Sequence, residues 1–95
     1  YVGPADLSLS LGCTPKMDQD EQPVVDAIQK IIDTTKKHKK YAGIHCGSVS
    51  YIKKMWSIGF DYATLLSDAR MLAMKAGELL PELQSKKSAG KGVGY

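Results

Sequence analysis

The sequence has few residues of the kinds that indicate a secreted, membrane-bound or zinc-finger protein. Its two cysteines, Cys13 and Cys46, fit neither a disulfide framework nor a paired zinc motif. No apolar run approaches the roughly 18 residues of a bilayer-spanning helix, and no signal peptide opens the chain. We therefore expect reduced thiols, a cytoplasmic location and no membrane partner.

The positive charge of the chain does not indicate a nucleic-acid-binding protein. The net charge is +3, and the run from Lys36 to Lys40 alone carries four lysines. This run lacks the interleaved aromatic residues and glycine loops of a nucleic-acid or phosphate-binding surface. We interpret it as a solvated helix end, where cations oppose the negative end of the helix dipole. No nucleic-acid partner is expected.

The two ends of the chain have different patterns. Tyr1 and Val2 favour a strand and run directly into Gly3 and Pro4, which predicts the last part of a strand whose beginning is missing. Residues 85–95 are rich in Gly, Lys and Ser and predict a flexible C-terminal tail. We therefore expect residues 1–84 to be a folded part of a larger protein.

Between the ends, strand and helix patterns alternate, and the helices carry apolar residues at helical spacing. The predicted elements are a helix from about Pro23 with Val24, Ile28, Ile31, Ile32 and Thr35 on one face; a strand Tyr41–Cys46; a helix capped by Ser48 with Ile52, Met55 and Trp56; a strand Phe60–Leu66; and a helix capped by Asp68 with Leu72, Ala76, Leu79 and Leu80 inward. This order predicts an α/β fold with a parallel sheet. It leaves open a small α/β domain or about three-eighths of a (β/α)8 barrel.

Ligand sites of parallel α/β folds lie at the carboxyl ends of the strands. That rule selects three stretches: residues 3–8, 44–48 and 65–68. A carboxylate at a strand end, here Asp6, is a hard oxygen ligand suited to Mg²⁺ or Mn²⁺. The alternative is that Asp6 only caps a turn with help from Ser8.

The run Gly3-Pro4-Ala5-Asp6-Leu7-Ser8, followed by Leu11-Gly12, resembles the signature of the HpcH/HpaI aldolase family. The resemblance extends over roughly residues 1–80, in the family's order. It continues through Pro23-Val24-Val25, Ala42-Gly43-Ile44, Ile58-Gly59-Phe60-Asp61 and Ser67-Asp68-Ala69-Arg70-Met71-Leu72.

This resemblance implies the C-terminal part, about strand 6 to helix 8, of a (β/α)8 TIM barrel. It implies a metal-dependent aldolase, a carbon–carbon lyase that cleaves or forms a bond of a 2-oxo acid through a pyruvate enolate. Asp6 would be a metal ligand, and Gly3, Pro4 and Ala5 would contact bound pyruvate. The expected cofactor is a divalent cation (Mg²⁺ or Mn²⁺, possibly Co²⁺), the expected partners are a keto acid and an aldehyde, and the intact enzyme would be a homo-oligomer.

The chain also departs from the family pattern. The family's second acidic ligand, its keto-acid-binding arginine and its proton-transfer histidine lie upstream of this region, so the catalytic residues stay unknown. His45 stands where the family often has an apolar residue, which predicts a substrate-binding role or a purely local hydrogen bond. A nucleophilic His45/Cys46 pair is disfavoured, because adjacent strand residues point to opposite faces.

Two other interpretations stay open at this point. An acyl-CoA lyase of the citrate lyase beta type shares the barrel, although its motif tends to carry an acidic residue where this chain has Ala5. Alternatively, the 95 residues form a noncatalytic α/β interaction module, which would need protected sheet edges.

Overall fold

The computed structural model describes residues 1–87, with side chains through residue 84. This part of the chain contains four helices and two strands. They are α1 (Pro4–Ser10), α2 (Gln22–Lys37), β1 (Gly43–Cys46), α3 (Val49–Ser57), β2 (Tyr62–Leu65) and α4 (Asp68–Lys87). None of the described helices is long and apolar enough to cross a bilayer.

The sheet is parallel, as the alternating pattern predicts. β1 and β2 pair in parallel, with His45 opposite Thr64 and Ile44 opposite Ala63. Val2 extends this sheet on the other side of β1 through an isolated parallel bridge to Ile44. Its amide donates to the Gly43 carbonyl at 2.8 Å, so the predicted first strand is a single bridge among the described residues.

The apolar core lies between one face of the sheet and the helices. α2 buries Val24, Ile28 and Ile32, as its sequence pattern predicts. From the sheet, Ile44 and Cys46 are completely buried. Burying each large aliphatic side chain contributes about 1.5–3 kcal/mol, so this layer fixes the helices against the sheet.

α3 begins as predicted but buries a different face. Ser48 Oγ accepts a hydrogen bond from the Tyr51 amide, which makes Ser48 the N-cap. Tyr51, Ile52 and Met55 are buried, whereas Trp56 is 53% exposed, so the expectation of a buried Trp56 is wrong. Tyr51 takes its place because α3 turns this residue toward the loop before α2, where its hydroxyl donates to the Gln19 carbonyl at 3.3 Å.

Residues 4–10 form the helix α1, with Gly3 as its N-cap, rather than the irregular strand-end loop expected from Gly3-Pro4. Pro4 begins α1, where its missing N–H leaves no broken helical bond. Ser8 is buried, and its hydroxyl donates to the Pro4 carbonyl. The short helix therefore places Asp6 in its first turn.

α4 packs against none of the other described elements. The predicted inward face is exposed: Leu72 is 74% exposed, and Leu79 and Leu80 are at least half exposed, so that expectation is wrong for this chain. The helix continues past Pro81 to Lys87 and includes the first residues of the predicted tail. Residues 88–95 of that tail lie outside the described residues.

Candidate functional site

All five residues predicted to form the site line one pocket. The pocket has a volume of about 330 Å³ and is bounded by Tyr1, Gly3, Pro4, Ala5, Asp6, Met17 and His45. Sequence positions 3–6 follow the Val2 bridge, and His45 lies near the end of β1. The pocket therefore sits at the carboxyl ends of the strands, where parallel α/β folds bind ligands.

Asp6 presents an exposed carboxylate to this pocket. Within residues 1–84, its side chain takes part in no hydrogen bond or ion pair. Gly3 is the N-cap of α1, and no side chain forms a capping hydrogen bond there. No contact therefore supports the alternative that Asp6 only caps a turn. A β-carbon at Gly3 would lie 3.5 Å from Asp6 Oδ2, which shows how close the backbone comes to the carboxylate.

Asp6 fits one position of a divalent-cation site, because a free carboxylate at the mouth of a pocket is a suitable hard ligand. The described residues contain no group of three or more His, Cys, Asp or Glu side chains able to hold a metal ion. Asp6 is thus one donor, and the other oxygen ligands of a cation would come from water, a bound substrate or residues beyond this set.

The loop before α2 forms one wall of the pocket through Met17. Asp18 fixes this loop: its carboxylate accepts hydrogen bonds from the Gly47 amide and the Ser48 hydroxyl, each at 2.7 Å. A β-carbon at Gly47 would lie 3.3 Å from Met17 Sδ, so the two loops pack closely. Neither Met17 nor Asp18 could be assigned to the site from the sequence, because a polar loop gives no signal for a contact about 30 residues away.

Gln19 anchors the same loop from inside. Only 1% of its surface is exposed, and its side-chain nitrogen donates to the Thr14 carbonyl at 2.8 Å. Its Oε1 atom is buried without a partner among the described residues. The loop is therefore an ordered wall rather than a loose connection.

A short chain of polar groups reaches His45 across the sheet. His45 Nδ1 lies 2.8 Å from Thr64 Oγ1 on the neighbouring strand. The Tyr1 hydroxyl also bonds to Thr64 Oγ1. The Tyr1 ring stacks on Tyr62, with centroids 6.1 Å apart, and Tyr62 lies over Gly43, where a side chain would collide with its ring. Thr64 pairs directly with His45 in the register of the two strands.

Cys46 cannot act as a nucleophile beside His45 in this arrangement. Its thiol is completely buried on the helix-covered face, and His45 lies on the opposite face. Burial raises the pKa of Cys46 to about 11, with a further contribution from the nearby Asp18 charge. Both the burial and the raised pKa keep the thiol protonated at neutral pH and disfavour a nucleophilic role.

Another surface cavity, about 450 Å³, lies elsewhere, along the C-terminal half of α2. None of the predicted site residues lines this cavity, and it does not lie at the carboxyl end of a strand. The volume of a cavity alone therefore does not identify the candidate active site. Arg70 lies on α4, outside the residues that line the pocket.

Comparison with known proteins links the chain to an aldolase. The chain is 33% identical over 85 residues to hydroxypyruvate/pyruvate aldolase of Rhizorhabdus wittichii strain RW1, and the similarity covers 90% of this chain. The chain spans only 34% of the length of that relative. No protein-family profile matches it. The chain therefore has an aldolase-like relationship, and its own reaction and partners are matters for proposal.

Proposed function

We propose that this chain is part of a metal-dependent aldolase of the HpcH/HpaI family, which cleaves or forms a C–C bond of a 2-oxo acid. The observation that carries the proposal is the convergence of Gly3, Pro4, Ala5, Asp6 and His45 on one pocket. Strand ends and sequence motifs predict the same five positions. Similarity to an aldolase whose name specifies hydroxypyruvate and pyruvate supports this class of substrate.

In the proposed site, Asp6 holds one position of a divalent cation. A bound cation would offset the negative charge that develops on the pyruvate oxygens as the enolate forms. The Gly3–Ala5 segment forms the adjacent wall of the pocket and limits where pyruvate can lie. His45 and Met17 bound the remaining side, which leaves them to contact the aldehyde.

We also propose that the sheet continues into a (β/α)8 barrel formed with residues beyond this chain. Two features support this. Val2 pairs with β1 on one side only within the described sheet, which leaves an open edge. α4 exposes an apolar face, with Leu72 and Leu79 at least half exposed. Both features would be costly in a stand-alone module, because open edges and apolar faces promote aggregation.

The test is an aldol-cleavage assay on the full-length protein that carries this chain. The protein is depleted of metal with a chelator and then supplied separately with Mg²⁺, Mn²⁺ or Co²⁺. Substrates are 4-hydroxy-2-oxo acids, and released pyruvate is measured. We expect pyruvate release that depends on the added cation, and addition of pyruvate or hydroxypyruvate to aldehydes in the reverse direction.

The controls separate the proposal from its competitors. Malyl- and citryl-CoA are assayed in parallel, and cleavage of these thioesters without cleavage of free oxo acids would indicate an acyl-CoA lyase. Full activity in the metal-depleted protein would contradict the cation requirement. Absence of turnover with every 2-oxo acid and every cation would overturn the proposed function.

A further inference from the structure

The polar groups on the open face of the sheet carry an inference beyond the residues already assigned. His45, Thr64 and Tyr1 come from three neighbouring parallel segments and are linked by two hydrogen bonds that meet at Thr64 Oγ1. On the opposite face of the same segments, Val2, Ile44 and Cys46 are buried in the core. The polar chain therefore lies on the face of the sheet that carries the pocket, away from the apolar core.

The hydrogen bonds have a favoured direction. A threonine hydroxyl has one hydrogen and two acceptor sites, and a neutral imidazole has one donor and one acceptor nitrogen. A phenol is more acidic than an aliphatic hydroxyl and is the better hydrogen-bond donor of the two. Tyr1 then donates to Thr64, Thr64 donates to His45 Nδ1, and each bond polarises the next.

This direction determines the tautomer of His45. If Nδ1 accepts from Thr64, the ring proton lies on Nε2. Within the described residues Nε2 has no hydrogen-bond partner, and His45 lines the pocket beside Asp6. The Nε2–H group of the ring can therefore donate to a bound molecule, while Nδ1 is held by its hydrogen bond to Thr64 on the neighbouring strand.

We infer that Thr64, supported by Tyr1, is a positioning residue that presents His45 Nε2–H to the carbonyl oxygen of the acceptor aldehyde. This inference rests on the proposed aldolase function. As the enolate carbon bonds to the aldehyde carbon, the carbonyl electron pair moves onto that oxygen. The hydrogen bond from Nε2 stabilises the developing charge while its proton stays on His45, and the alkoxide then takes the proton of the product hydroxyl from water. Pyruvate, on the Asp6 side of the pocket, would not depend on this bond.

The test compares Thr64→Val, Thr64→Ser and Tyr1→Phe in the full-length protein. Valine keeps the shape of threonine without its hydroxyl, and serine restores the hydroxyl. Thr34→Val is the matched control, because Thr34 donates to the Lys30 carbonyl on an exposed face of α2. Each variant is assayed with glycolaldehyde and propanal as acceptors, pyruvate affinity is measured by calorimetry, and ¹⁵N NMR reports the His45 tautomer.

We expect Thr64→Val to lower kcat/KM for both aldehydes about 3- to 10-fold, the effect of losing one neutral hydrogen bond. Its pyruvate Kd should stay within about twofold, and its Nδ1 resonance should move toward the protonated position. Thr64→Ser should recover both the tautomer and the rate, Tyr1→Phe should show a smaller loss, and Thr34→Val should match the parent protein.

The outcomes distinguish this inference from the proposed function. Aldolase activity in the parent protein with unchanged kinetics and tautomer in Thr64→Val would overturn the positioning role alone. Equal losses in Thr64→Val and Thr64→Ser would assign Thr64 to packing and would also overturn it. If the parent protein turns over no 2-oxo acid, the proposed function fails, and the role toward an aldehyde fails with it.

Discussion

Lys36 and Asp61 form an ion pair that ties the C-terminal end of α2 to the segment before β2. Lys36 Nζ donates to both carboxylate oxygens of Asp61 at 2.7 Å. Asp61 Oδ2 also accepts from the Ala42 amide at 2.8 Å, just before β1. The Asp61 carboxylate thus connects the end of α2 with the segments that precede both strands. Lys36, which belongs to the lysine run predicted to be solvated, therefore has a structural role.

This arrangement predicts a pH-dependent contribution to stability. The Lys36 contact, followed by the Ala42 amide bond, lowers the pKa of Asp61 below its ordinary value. A lowered folded-state pKa stabilises the fold at pH values above the unfolded-state pKa of about 3.9, and this stabilisation is lost as pH falls through the folded-state value. Asp61→Asn should therefore be less stable than the parent protein at pH 7, and the difference should shrink below about pH 4.

The measurement is urea unfolding of the full-length protein and its Asp61→Asn variant at several pH values. Asp33→Asn is the matched control, because Asp33 is exposed and accepts a hydrogen bond from Gln29 on its own helix. A stability difference for Asp61→Asn that persists unchanged below pH 3 would show that the carboxylate charge is not its source.

The second prediction concerns the loop that supports Met17. Asp18→Ala removes the acceptor for the Gly47 amide and the Ser48 hydroxyl, both of which are partly buried. Leaving these donors without a partner should lower the free energy of unfolding by about 1–3 kcal/mol. The loop should also open locally, so that trypsin cleaves after Lys16 faster than in the parent protein. Mass spectrometry of that one bond gives the rate, and unchanged cleavage would argue against the anchor.

The residues of the site show what the sequence could and could not predict. Strand alternation placed Ile44 and Cys46 on the covered face and His45 on the other, because a two-residue period survives any change in packing. The Asp18 anchor was not predictable, since it joins a polar loop to β1 across about 30 positions. The contact of Thr64 with His45 was not predicted. A single threonine in a strand gives the same sequence pattern whether its side chain packs against neighbours or forms a hydrogen bond.

The fold was predictable to a similar degree. The order of strands and helices followed from apolar periodicity, whereas α1 was missed because Gly3-Pro4 reads as a turn and a seven-residue helix gives little periodicity. The prediction that Leu72, Leu79 and Leu80 of α4 point inward is wrong, since all three are at least half exposed. Their burial could not follow from the pattern, because burial requires a neighbour and α4 has none among the described elements.

The third prediction concerns Asp6. Asp6→Asn keeps the shape of the side chain and removes the charge that would hold a divalent cation. We expect weaker Mn²⁺ binding by calorimetry and a rate loss on the order of 10²-fold or more, comparable with removing another preorganised electrostatic contact. Asp26→Asn is the control, because Asp26 lies on α2 and accepts from Gln22. Equal affinity and rate in Asp6→Asn would reduce Asp6 to a surface residue of α1.

The last prediction concerns His45 itself. His45→Leu replaces a partly exposed polar ring with an apolar side chain of similar bulk, on a face of the sheet that the core does not use. The fold should therefore be nearly unchanged, with a melting temperature within a few degrees of the parent protein. Among aldehyde acceptors, kcat/KM should change by different factors according to size and polarity. Pyruvate affinity should change little, because pyruvate is assigned to Asp6 and the Gly3–Ala5 wall.

His38→Leu is a matched control for this experiment, since His38 lies at the exposed end of α2 and bonds to the Thr34 carbonyl. His45→Leu removes an imidazole that lines the pocket, whereas His38→Leu removes an imidazole at the end of α2. A selective change in aldehyde preference for His45→Leu, absent in His38→Leu, would place His45 at the acceptor. A uniform fall across the aldehyde panel together with a lower melting temperature would instead mean that the bond to Thr64 serves to hold the two strands together.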